Sequence, residues 1–74
     1  MIEKPKIHRF RRRLEVDGTV AFAAVLLPEG GKYTLDYVDL SKPGQPTGRL
    51  HPRAHSHETL DGIDDELRKL IRDA

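Results

Sequence analysis

Residues 7–27 read IHRFRRRLEVDGTVAFAAVLL, and the fold turns on how this stretch is read. Asp17-Gly18 near its centre is a strong signal for a two-residue hairpin loop, because both loop positions need positive φ. With those two residues as the loop, Val16 faces Thr19, Leu14 faces Ala21 and Phe10 faces Val25. Side chains alternate across a strand. Arg9, Arg11 and Arg13 therefore point to one side of the sheet, and Phe10, Leu14 and Val16 to the other. The second strand, Thr19–Leu27, is apolar on both faces, which suits a central strand.

Outward from this hairpin, Pro28-Glu29-Gly30-Gly31 closes a second turn, and Lys32–Leu40 follows as a third strand. There Tyr33, Leu35 and Tyr37 alternate with Lys32, Thr34 and Asp36. A one-residue change in register moves every side chain to the other face, so the loop length decides the core. A two- or four-residue loop sends the Tyr33, Leu35 and Tyr37 side to Phe22. A three-residue loop, Glu29-Gly30-Gly31 with a left-handed glycine bulge, sets them beside Val25, Leu27, Phe10 and Leu14. Only the second choice gathers one core. It leaves Val20, Phe22, Ala24 and Leu26 on the second face, bordered by the three arginines on one side. Lys32, Thr34, Asp36 and Val38 are expected on the other.

Residues 41–57 form a long connector with Pro43, Pro46 and Pro52. Within it Gly48–His51 is a candidate fourth edge strand that Pro52 would end. From Glu58 the period becomes helical: Leu60, Ile63, Leu67, Leu70 and Ile71 make one apolar stripe. Ser56 or Thr59 is placed to cap its start. Asp64–Arg68 and Asp65–Lys69 are expected as i,i+4 pairs, while Gly62 weakens the first turn. The expectation is one α+β domain over residues 1–74. It is a three-stranded antiparallel meander with a short fourth strand, and one C-terminal amphipathic helix packs on one face.

A chain of 74 residues with no cysteine has neither disulfides nor thiolate metal sites to support a small core. No apolar run reaches the roughly 18–20 residues of a membrane span. The charged opening with Pro5 is unlike a signal peptide, so a cytoplasmic protein is expected. Net charge is only +1, but its distribution is uneven. Lys4–Arg13 holds six basic residues and no acid, whereas Glu58–Glu66 holds five acids and no base. That polarity points to oriented docking of a partner.

One helix covers one face of the sheet, which leaves the other for contact. Its candidate binding residues are Arg9, Arg11, Arg13, Val20, Phe22, Leu26 and Lys32. Apolar side chains ringed by charge mark an interaction site, and arginine suits the rim because its planar fork pairs with carboxylate or phosphate. The function expected is a non-catalytic accessory or regulatory binding protein that meets a second copy of itself or a protein partner. The alternative is a single-stranded nucleic-acid module, since alternate strand residues are spaced like successive phosphates and Phe22 offers a stacking platform. Arg12 and Lys6 would add charge at its edge.

His51, His55 and His57 form the weak metal candidates, set against ordinary solvated loop histidines. No cofactor is indicated. Ser41 and Ser56 lack the setting of a nucleophile, no phosphate-binding glycine loop is present, and the chain is short for a substrate pocket. A small-molecule substrate and an enzyme are accordingly not expected.

Overall fold

The computed structural model describes residues 6–53 and 56–74. In chain order these form β1 (Ile7–Val16), β2 (Thr19–Pro28), β3 (Tyr33–Ser41), β4 (Gly48–Leu50), β5 (Ser56–His57) and α1 (Leu60–Asp73). The sheet is antiparallel with the order β1-β2-β3-β4, and β5 pairs with β3 beyond β4. The fold is α+β, with the helix on one face.

The first hairpin follows from its turn. Asp17 and Gly18 have φ of 50° and 82°, and the strands leave them with Val16 opposite Thr19, Leu14 opposite Ala21 and Phe10 opposite Val25. Two left-handed residues in succession match the twist of the flanking strands.

The second hairpin begins as expected and then departs. Val25 faces Leu35 and Leu26 faces Thr34, the register of a three-residue loop, and Gly30 is left-handed at φ 74°. Beyond this the ladder slips: Ala24 faces Tyr37, so Asp36 is an extra residue in β3. A bulge of this kind exchanges the faces of everything that follows. Val38, expected on the exposed face, is fully buried, and Leu40 is buried beside it. Tyr37, expected in the core, turns to the face opposite the helix. The cause lies in the composition of β3, whose apolar side chains sit at odd positions up to Leu35 and at even positions from Val38. An unbroken strand would bury Asp39 and expose Val38 and Leu40.

The core is a single layer between sheet and helix. Ala21, Ala23, Val25, Leu35, Val38 and Leu40 lie beneath Ile63 and Leu67 of α1, with Phe10, Leu14, Tyr33, Leu70 and Ile71 packed at its margins. Phe10 meets Tyr33 edge-on, with ring centroids 6.0 Å apart, a favoured geometry for aromatic pairs. The small Ala21 and Ala23 let the helix approach the centre of the sheet.

Thr59 caps α1, its hydroxyl accepting from the Gly62 amide at 3.4 Å. Two charge pairs differ from the helical spacing. Asp64 is held by Arg12 of β1, and Asp65 pairs with Arg68 at 3.0 Å, three residues on. No helix among the described residues is long and apolar enough to cross a membrane.

Candidate functional site

The face opposite α1 is laid out in rows by the strand periodicity. β1 sends Arg9, Arg11 and Arg13 to it, β2 sends Val20, Phe22, Ala24 and Leu26, and β3 sends Tyr37 and Asp39 from beyond the bulge. Register fixes the neighbours: Phe22 lies between Arg13 and Asp39, and Ala24 between Arg11 and Tyr37. Phe22 is 43% exposed, a large fraction for an aromatic side chain on a central strand. Val20 and Leu26 are half-buried.

No described element covers this face. The connector runs instead along the outer edge of β3, where β4 pairs with Val38–Leu40 and β5 with Tyr33 and Thr34. A shallow hollow remains around Phe22, lined by Arg11, Arg13, Val20, Phe22 and Asp39 and closed at one end by Ser41 and by Thr47 of the connector.

Charge on the face is unevenly matched. Arg49 of β4, directly opposite Asp39, donates to both its carboxylate oxygens, at 2.7 and 3.0 Å. This guanidinium holds the Asp39 carboxyl below the usual carboxylate range, and Arg11 and His51 add to the effect. Arg49 also lies over the Tyr37 ring, 3.9 Å from its centroid, and His51 meets Tyr37 edge-on at 6.5 Å. Arg9, Arg11 and Arg13 have no such partner: none forms an ion pair among the described residues.

No family model matches the chain, and neither does any curated protein or solved structure.

Six of the seven expected binding residues share one face: Arg9, Arg11, Arg13, Val20, Phe22 and Leu26. Lys32 lies farther along the sheet, away from Phe22. It stands in the β2–β3 turn, at the opposite end of β3 from Asp39, with its ammonium 3.1 Å from Glu58. Arg12 lies on the helix side with Phe10 and Leu14 and is bound to Asp64, so it adds nothing to the arginine row.

The histidines separate as well. His51 sits by Tyr37 on the open face, whereas His57 is on the helix side with Nε2 2.6 Å from Glu66 Oε1. His55 lies outside the described residues. Among the described residues no three potential ligands come together as a metal site.

Tyr37, Asp39, Arg49 and His51 are members of the face that the strand pattern alone misassigns or omits. The change from odd to even apolar positions within β3 was the one available signal.

Proposed function

We propose that this protein is a non-catalytic accessory or regulatory binding protein. It docks onto proteins, a second copy of itself included, through the open sheet face. Val20, Phe22 and Leu26 form the contact centre, and Arg9, Arg11 and Arg13 orient the partner from the rim. The observation that carries this reading is Phe22, 43% exposed on the central strand β2 beside arginines that form no ion pair among the described residues. An aromatic anchor beside arginine has the composition of an interface hot spot.

Sedimentation equilibrium at micromolar concentration tests it. A mass above one chain is expected, and Phe22→Asp should return the monomer while the circular dichroism of the fold is retained. Equal masses for the wild type and the folded variant would overturn the reading.

A second reading draws support from the bulge, which brings Tyr37 to the same face as Phe22. Two aromatics beside an arginine row are the elements of a single-strand binder. Against it, Arg49 already occupies one face of the Tyr37 ring. A single-stranded oligonucleotide whose affinity falls steeply with salt and is lost on Tyr37→Ala would favour this alternative.

A further inference from the structure

The two edges of the sheet are treated differently. The outer edge of β3 is filled by β4 and β5, whereas β1, ten residues long, pairs on one side only among the described residues. Which backbone groups face outward follows from the hairpin. Antiparallel pairs alternate between those that exchange hydrogen bonds and those that do not. The Lys6 carbonyl accepts from the Glu29 amide at 2.8 Å, which fixes the phase. Even-numbered residues of β1 therefore bond to β2, and Arg9, Arg11 and Arg13 turn their N–H and C=O groups to the free edge. The same three residues send their side chains to the open face. Unpaired main-chain donors and acceptors thus come with guanidinium groups at every second residue, roughly 6.8 Å apart.

Such an edge is a template for another strand, and charge selects which one. A second β1 laid antiparallel over the arginines sets guanidinium against guanidinium, and like charges directly opposite are destabilising. A strand with carboxylates at alternate positions meets each arginine with an acid. Its intervening side chains fall on the helix side, next to half-buried Phe10 and Leu14, where apolar residues fit. Arg12, between those two, is already neutralised by Asp64.

We propose that the β1 edge captures an extended segment of a partner protein in which acidic and apolar residues alternate, adding it to the sheet as a further strand. Main-chain bonds hold the segment, and Arg9, Arg11 and Arg13 select its acids. The inference rests on the reading of this sheet as a protein-docking surface. It uses the strand edge rather than Phe22, so different variants test the two.

The probe is an acetylated and amidated seven-residue peptide alternating glutamate with valine, added to the whole, isotope-labelled chain. Amide exchange at Arg9, Arg11 and Arg13 should slow, while the amides of Phe10, Arg12 and Leu14 stay as they were. A peptide of the same composition with its glutamates contiguous, or one with lysine for glutamate, should not bind. Arg11→Ala keeps the edge amide and should weaken binding by about threefold. Arg11→Pro removes that amide at a position where the sheet itself does not use it, and should weaken binding by more than about tenfold.

If Arg11→Pro does not fold, the double change Arg9→Glu and Arg13→Glu takes its place. It should shift preference from the glutamate peptide to the lysine peptide. Phe22→Ala, which adds no charge beside Arg13, should leave peptide binding unchanged. The proposal is overturned if the three amides keep their exchange rates, if the contiguous peptide binds equally well, or if Phe22→Ala abolishes binding.

Discussion

Arg12 on β1 and Asp64 on α1, 52 residues apart in the chain, are joined by two parallel hydrogen bonds. Nε donates to one carboxylate oxygen at 2.8 Å and Nη2 to the other at 2.7 Å. This fork is the only arginine in the run Arg11-Arg12-Arg13 to face the helix. It fixes the rotation of α1 over the sheet, because Asp64 follows directly on the buried Ile63. The Asp64 side chain is only 13% exposed, so its charge depends on this partner.

The pair makes stability depend on pH in a defined direction. Hydrogen bonding from Arg12 lowers the Asp64 pKa below its ordinary value near 3.8. A depressed carboxylate adds stability that is fully present above the unfolded-state pKa and is lost as pH falls through the folded value. Asp64→Asn should therefore lower Tm by several degrees at neutral pH. Its deficit against the wild type should begin to shrink below about pH 4 and go on shrinking as pH falls through the lowered value of the folded state. Thermal melts of both proteins across this range are the check, and a gap that does not vary with pH would show that the charge contributes nothing.

Val38 and Phe22 offer a paired test of the two sheet faces. Val38 is fully buried and Phe22 is 43% exposed. An aspartate at Val38 places an unpaired charge in the core, at a cost of about 4 kcal/mol or more, comparable to the whole stability of a domain this small. Val38→Asp should be unfolded at room temperature by circular dichroism. Phe22→Asp should lose only roughly 1–2 kcal/mol and remain folded. A folded Val38→Asp would mean that β3 runs without its bulge.

Much of this arrangement is legible in the chain. Asp17-Gly18 settles the first register, since its left-handed pair admits one hairpin geometry, and the spacing of Ile63, Leu67 and Leu70 settles the helix face. The bulge at Asp36 escapes a reading that assumes an unbroken alternation, although the move from Leu35 to Val38 and Leu40 carries its trace. Arg12 has the parity of Phe10 and Leu14, but its partner is distant in sequence, so nothing local distinguishes it from the arginines on either side. Arg49 sits in a strand of three residues, too short for periodicity to place it over Tyr37.

The first turn predicts its own sensitivity. Gly18 has φ of 82°, and a Cβ there would lie 3.3 Å from the Pro43 ring. Gly18→Ala combines a strained backbone with a tight contact and should cost about 1 kcal/mol or more. Asp17→Gly relieves the left-handed strain at φ 50°, and any gain is offset by the greater freedom of glycine in the unfolded chain. Urea titration should show the alanine variant clearly destabilised and the Asp17 variant within about 0.5 kcal/mol of the wild type.

Gly62 gives the opposite result from the one helix propensity suggests. In an exposed helix, replacing glycine with alanine stabilises by about 1 kcal/mol. Here a Cβ on Gly62 would stand 2.8 Å from His57 Nδ1 and 2.9 Å from His57 Cβ. His57 cannot easily swing aside, because its Nε2 is bound to Glu66 and its backbone is paired with Tyr33 in the sheet. The first turn of α1 lies so close to β5 that only a residue without a side chain fits between them. Gly62→Ala should destabilise the domain by roughly 1–3 kcal/mol. Combining it with His57→Gly should recover most of that loss, since this second change removes both the ring and the Cβ that the methyl group meets. A double-mutant cycle by urea unfolding measures the coupling, and additive losses would show that the contact is not the cause.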